Sequence, residues 1–136
     1  MNEPIQVIFV PDAIRDIKRL RKRYRRIDED LEPLITQLEA GETPGDQLQG
    51  VDPYIVYKVS LPNRDAGRGK SGGYRVVYYF HAIAMRFLIE IYSKSEKENL
   101  DLSALRERLQ ALDAELKAFA ASDSAADTDD NPPPSA

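Results

Sequence analysis

The sequence contains no cysteine and no tryptophan, and it has a single histidine, His81. Without cysteine the protein has no disulfide bond, no cysteine-ligated zinc and no cysteine nucleophile. One histidine also argues against a histidine-rich metal site. We therefore expect no bound metal and no cofactor.

Long hydrophobic runs are missing as well. The N-terminal segment MNEPIQVIFVPDAI has no basic leader before its apolar run of six residues, so it lacks the pattern of a signal peptide. No stretch approaches the roughly 20 apolar residues that a membrane-spanning helix needs. The sequence therefore predicts a soluble, cytoplasmic protein without membrane association.

The 136 residues, 42% of them hydrophobic, suffice for one domain with one core. From residue 121 onward the chain is mostly Ala, Ser, Asp and Pro, a composition that buries too little apolar surface to fold. We predict one domain over residues 1–120 and a disordered, acidic, proline-rich tail over residues 121–136.

The net charge of −4 is unevenly distributed. Four of the 23 acidic residues lie in the last fourteen positions, which hold no basic residue, so the remaining chain carries 19 charges of each sign. Basic residues cluster within that neutral part, and such clusters create a local positive potential.

The first half of the chain predicts a strand and a helical hairpin. Residues 5–10 are β-branched and apolar and are followed by Pro11, which is typical of a short strand. Apolar residues then recur in steps of three and four, which indicates helices with one face towards a core. We predict helices over about residues 12–26 and 29–40, the second ending at Gly41.

The second half predicts three strands and a terminal helix. Residues 54–61, 73–81 and 85–93 are rich in β-branched and aromatic side chains, and the last two segments are close enough to form a hairpin. A helical region follows from Ser95, with leucines at helical spacing over residues 102–119. The predicted fold is α+β: a four-stranded, antiparallel-dominated sheet with an N-terminal helical hairpin on one face and a C-terminal helix.

A dense run of cations lies in the first predicted helix. Its eight members are Arg15, Lys18, Arg19, Arg21, Lys22, Arg23, Arg25 and Arg26. Such charges repel one another along a helix, so helix stability does not explain them. One interpretation is a face that binds the phosphates of a nucleic acid. The other is a solvated face whose charges are neutralised by nearby acids or by an acidic partner.

Two further segments carry chemistry. Arg64, Arg68, Lys70 and Arg75 lie among four glycines in a segment too rich in glycine and charge to fold regularly. These glycines allow close approach of backbone to an anion, although the segment lacks the spacing of a Walker loop. The alternative is a flexible loop kept soluble by its charge.

Near the end of the last predicted strand, Tyr92, Lys94 and Glu96 combine a phenol, an ammonium and a carboxylate. Together these groups can stack on a base, hold a phosphate and move a proton. The alternative for Tyr92 is a packing residue of the sheet.

Three segments in this order of elements resemble the RelE/ParE toxin superfamily and, within it, the HigB-like branch. They are Tyr57-Lys58-Val59, GRGKSGGYRVVYYF (67–80) and IYSKSEKENL (91–100). The resemblance covers residues 5 to about 110. The sequence departs from the RelE pattern in the insertion PNRDAGRGKS, and it lacks the histidine pair of some HigB proteins.

The resemblance implies the toxin of a type II toxin–antitoxin pair, held inactive in a complex with its antitoxin protein. Most such toxins are metal-independent, ribosome-dependent endoribonucleases that cut messenger RNA and block translation, whereas ParE relatives inhibit DNA gyrase. A binding module whose basic helix recognises RNA or an acidic protein is a third possibility.

The resemblance also implies site residues. The essential arginine of the family's G-Y-R segment falls on Arg75, its lysines on Lys58 and Lys70, and its last-strand tyrosine or basic residue on Tyr92 or Lys94. We predict Arg75, Lys70, Tyr92 and Lys94 as the catalytic residues. The cations predicted to bind RNA are Lys58, Arg64, Arg68, Arg19, Lys22, Arg23 and Arg26.

Overall fold

The structure is a computed structural model, and it describes residues 5–97 and 99–130. Its elements in chain order are β1 Gln6–Phe9, α1 Pro11–Arg23, α2 Ile27–Glu39, β2 Asp46–Gln47, β3 Val56–Leu61, a 3₁₀ turn Lys70–Gly72, β4 Tyr74–Ala82, β5 Met85–Ser93 and α3 Leu102–Asp130. The α+β class is confirmed. The chain divides into two compact units, with the boundary between Leu100 and Asp101.

The sheet has five strands in the order β1-β5-β4-β3-β2. The prediction of four antiparallel-dominated strands is therefore wrong in number, and the sheet is mixed. Strand β1 pairs in parallel with β5, while the other three pairings are antiparallel. Parallel neighbours need a long crossover connection, and the chain between β1 and β5 contains the α1–α2 hairpin and three strands. Strand β2 has two residues, too few to leave a pattern in the sequence.

The core lies between the helical hairpin and the sheet. Helix α1 turns Ala13, Ile17 and Leu20 inward and exposes most of its cations on the opposite side. Across from them, the strands contribute one face of the sheet, although β4 and β5 are buried along most of their length. The sheet residues of this core are Val59, Leu61, Tyr74, Val76, Tyr78, Leu88 and Ile91.

Both predicted helices exist, and each of their ends lies one to three residues earlier in the chain than predicted. Helix α2 ends as predicted at Gly41, whose φ of +91° follows the helical residue Ala40. The Gly41 N–H donates to the Leu38 carbonyl and the Glu42 N–H to the Gln37 carbonyl, both at 3.0 Å. This pair of bonds is a Schellman motif, which satisfies carbonyls that the helix end leaves open.

The C-terminal helix begins later than predicted. The region after Ser95 is a turn, and α3 begins at Leu102, where Asp101 accepts a hydrogen bond from the Ala104 N–H at 3.1 Å. An aspartate at this position is a favoured N-cap. Helix α3 continues to Asp130 and so overlaps the predicted tail, while residues 131–136 lie outside the described part; disorder of that tail stays a prediction.

Across the described ranges, no helix is both long enough and apolar enough to cross a membrane.

Candidate nucleic-acid interface

The glycine-rich insertion is a structured hairpin, contrary to the irregular loop that its composition predicted. Asn63 and Arg68 exchange two backbone hydrogen bonds of 2.8 and 2.9 Å. The side chain of Asn63, a buried residue, accepts the N–H of Ala66 at 3.1 Å. Gly67, with a φ of +65°, supplies the left-handed residue that the turn needs. The insertion therefore presents its charges from a defined backbone.

Two ion pairs fasten this hairpin to the helices. Asp65 accepts both the backbone N–H of Arg26 at 2.6 Å and its guanidinium at 2.9 Å. Asp30, whose side chain is 1% exposed, accepts the backbone N–H of Arg64 at 3.2 Å and its guanidinium at 2.6 Å. Arg26 and Arg64, both predicted to bind RNA, thus position the insertion within the protein.

The anchor at Asp65 predicts a dependence on pH. Hydrogen bonds from the Arg26 backbone and side chain lower the pKa of Asp65 below its ordinary value of 3.8. Because the folded pKa is lower than the unfolded one, Asp65 contributes stability above the unfolded pKa and loses it as pH falls through the folded value. We expect Asp65→Asn to lower the urea midpoint at pH 7, with the difference from the wild type shrinking at lower pH and absent below the folded pKa.

The same titration with Asp28→Asn is the control. Asp28 is exposed, and it pairs with Arg21 within the α1–α2 helical hairpin and not with the insertion. A difference for Asp65→Asn that grows towards acid pH would contradict the expectation.

Arg75 holds the turn that precedes β4. Its guanidinium donates to the carbonyls of Lys70, Ser71 and Tyr74 at 2.9, 2.8 and 3.3 Å. The guanidinium is therefore fixed beside the Lys70–Gly72 turn by three acceptors of the main chain.

The chain segments of four predicted site residues meet at this turn. Gly72 lies against the side chain of Arg68, since a Cβ on Gly72 would be 3.3 Å from the Arg68 Cδ. The backbone N–H of Lys94 donates to the Gly73 carbonyl at 2.9 Å, which extends the β4–β5 pairing beyond the strands. The structure thus places four cationic residues around Gly72 and Gly73: Arg68, Lys70, Arg75 and Lys94.

Tyr92 lies directly beside Arg75 in the sheet, in a row that runs Ser60, Arg75, Tyr92 across three strands. Only 2% of Tyr92 is exposed, and its hydroxyl has no hydrogen-bond partner among the described residues. Burial raises the pKa of Tyr92, the charge of Glu90 raises it further, and Arg75 opposes the change. The phenol therefore keeps its proton at neutral pH, and its ring is covered in this conformation.

Glu90 and Lys97 also lie beside Tyr92, and neither was predicted from the sequence as a site residue. Glu90 is 7% exposed, the Lys97 ammonium contacts its carboxylate, and the same ammonium lies 4.9 Å from the centre of the Tyr92 ring. A glutamate inside the apolar run FLIEIY was the available signal, because a charged residue is rarely buried without a partner.

The cationic run of α1 is partly neutralised within the protein. One nitrogen of Arg19 donates to both carboxylate oxygens of Glu96, at 3.0 and 2.8 Å, which joins α1 to the turn after β5. Asp16 accepts the N–H of Ile91 at 3.0 Å; burial raises its pKa, while that bond and Arg19 oppose the rise.

Two more predicted RNA-binding residues stand near the end of α1. Arg23 lies over the ring of Tyr24, with its guanidinium carbon 5.3 Å from the ring centre, and Lys22 is exposed. Lys22 and Arg19 line a shallow hollow of about 450 Å³, apart from the turn at Gly73.

A larger groove brings three predicted residues together. It has a volume of about 840 Å³ and is lined by α2, by the chain before β2, by β3 and by the insertion. Lys58, Arg64 and Lys70 face it, and Lys70 also belongs to the turn that Arg75 holds. The groove is therefore continuous with the Gly73 neighbourhood through Lys70.

Among the described residues, no group of three or more acidic or histidine side chains is arranged to hold a metal ion. A scan of the sequence against models of known protein families finds no match.

Proposed function

We propose that this protein is the toxin of a type II toxin–antitoxin pair, of the RelE/ParE type, and that it cuts messenger RNA on the ribosome without a metal. The observation that carries the proposal is the meeting of the chain segments of Arg68, Lys70, Arg75 and Lys94 at Gly72 and Gly73, beside the start of β4. Four cationic residues around one turn suit the phosphate backbone of RNA.

Cutting RNA without a metal requires three tasks. The 2′-hydroxyl must lose its proton, the charge of the crowded phosphate must be stabilised, and the leaving 5′-oxygen must gain a proton. Arg75 is suited to the second task, because a guanidinium stays charged and can hold two oxygens at once. Its bonds to the Lys70 and Ser71 carbonyls keep it in place before the substrate arrives.

The proton-transfer tasks are assigned to the residues around Arg75. Lys70 is exposed and Lys94 is half-buried, so both residues are accessible to solvent, and their chain segments meet at Gly73. Tyr92 retains its proton and is suited to act as the acid once its hydroxyl is uncovered. The ribosome would supply the in-line geometry of the RNA that so small a surface does not impose.

The proposed partners follow from the same surface. A cognate antitoxin would neutralise the protein by covering the cations at the Gly73 turn, in a toxin–antitoxin complex in the cytoplasm. The exposed cations of α1 that line the hollow with Arg19 and Lys22 would add a non-specific electrostatic attraction to ribosomal RNA.

Sequencing the 5′ ends of cellular RNA after brief induction tests the proposal. We expect new ends within coding sequences, and we expect them to disappear when ribosomes are kept off the message. Intact messages together with DNA damage would overturn the ribonuclease in favour of a gyrase inhibitor. Normal growth with intact messages would overturn both toxin activities and favour a module that only binds RNA or an acidic protein.

A further inference from the structure

The groove between α2 and β3 has three charged groups without an ion-pair partner among the described residues, and the ribonuclease mechanism uses only one of them, Lys70. Arg64 is neutralised there by Asp30 and Glu29. No described residue forms an ion pair with Lys58, Lys70 or Asp46. Asp46 and Lys58 are opposite each other in the β2–β3 pairing, and together with Lys70 they line the same open space.

Gly45 borders the groove and lies close against β3. A Cβ on Gly45 would be 2.5 Å from the Lys58 carbonyl oxygen, and Gly45 has a φ of +94°. Strand β2 pairs only with Tyr57 and Lys58, so the outer edge of β3 at Ser60 has no strand beside it. A long extended peptide could not continue along the sheet past Gly45, whereas a compact group could occupy the space.

The dimensions and chemistry fit one nucleotide. A volume of about 840 Å³ falls within the range of small-molecule sites. Pro33 and Pro44 supply apolar walls for a flat base, and Lys58 and Lys70 supply cations for its phosphates. Asp46 is a hydrogen-bond acceptor and accepts N–H donors from the edge of a base.

We infer that this groove binds one unstacked nucleotide of the RNA next to the phosphate held by Arg75, and that Asp46 favours bases with an amino group. Lys70 connects the two places, since it lines the groove and its carbonyl holds Arg75. Guanine, adenine and cytosine carry an exocyclic amino group that can donate to a carboxylate. Uracil has no such group and offers only its ring N–H. The inference rests on the proposed function only for its substrate, RNA.

Binding of 2′-O-methyl trinucleotides that differ in the central base tests the inference. Such RNA cannot be cut, so the outcome does not depend on ribonuclease activity. We expect the cytidine, adenosine and guanosine versions to bind about tenfold more tightly than the uridine version, the discrimination typical of one well-placed base contact. Amide chemical shifts should change at Asp46, Lys58 and Ser60.

Asp46→Asn should reduce that preference to about twofold or less, because an amide accepts and donates equally well. Glu32→Gln is the matched control, since it removes an exposed carboxylate of α2 that lines a different groove, and it should keep the preference. Equal affinity for all four bases, or shifts confined to other residues, would overturn the inference. If the protein keeps its preference for amino-bearing bases but leaves cellular messages intact, the groove proposal stands and only the proposed ribonuclease activity is refuted.

Discussion

Replacing Arg75 by alanine should abolish growth inhibition and slow the cutting of messenger RNA by about 10²–10³-fold, the usual effect of removing one group that stabilises transition-state charge. Arg75 is the one predicted site residue that is both fixed by main-chain acceptors and placed in β4, the middle strand of the sheet. Arg75→Lys should recover little activity, because an ammonium cannot reach the Lys70 and Ser71 carbonyls together with a phosphate. Cleavage of a defined message in a translation extract measures the rate.

The control for this experiment is Arg25→Ala, which removes an exposed cation between α1 and α2 and should cut at nearly the wild-type rate. Loss of Arg75 also removes three hydrogen bonds from the turn, so the urea midpoint is measured for every variant. A folded Arg75→Ala protein that cuts messages normally would remove Arg75 from the mechanism.

Gly73→Ala should be the most destabilising substitution in the neighbourhood of the site. A Cβ at this position would overlap the Leu61 carbonyl and lie 2.8 Å from the Asn63 nitrogen and 2.9 Å from the Gly69 oxygen. All of these atoms belong to the backbone and cannot rotate away. We expect a loss of about 3 kcal/mol in the free energy of unfolding, the upper end of the range for overpacking, together with loss of activity.

Gly69→Ala is the matched control, because a Cβ there meets nothing within 4 Å and its φ of −76° suits alanine. It should change the free energy of unfolding by less than about 0.5 kcal/mol, as surface substitutions usually do. Urea denaturation of the two variants compares them directly, and equal midpoints would contradict the packing described at Gly73.

Local patterns predicted most of the secondary structure. Strands β3, β4 and β5 lie within two residues of the predicted segments, because continuous β-branched and aromatic runs leave few alternatives. Gly41 ended α2 as predicted because only the left-handed backbone it adopts allows the closing hydrogen bonds. Pairing direction was not predictable, since the side chains of β1 alternate in the same way beside either kind of neighbour.

Ion pairs within the protein are the feature of the candidate site that was hardest to predict from the sequence. Arg26 and Arg64 were predicted to bind RNA, and in the structure each forms an ion pair with an acid far away in sequence, Asp65 and Asp30 respectively. Their partners depend on how the insertion folds over the helices, which no spacing in the chain records. The position of Arg75 beside Tyr92 follows from strand register, and register became visible only with the sheet.

The parallel pairing of β1 with β5 has a consequence for synthesis of the chain. The nascent strand β1 leaves the exit tunnel first, but its partner is made only after about eighty more residues, a separation that slows closure. The hydrogen bond between Lys94 and Gly73 also waits for the end of β5. A chain still under translation therefore exposes its cationic helix without an assembled Arg75 turn, and any activity of that turn starts only once nearly the whole of the first unit has emerged.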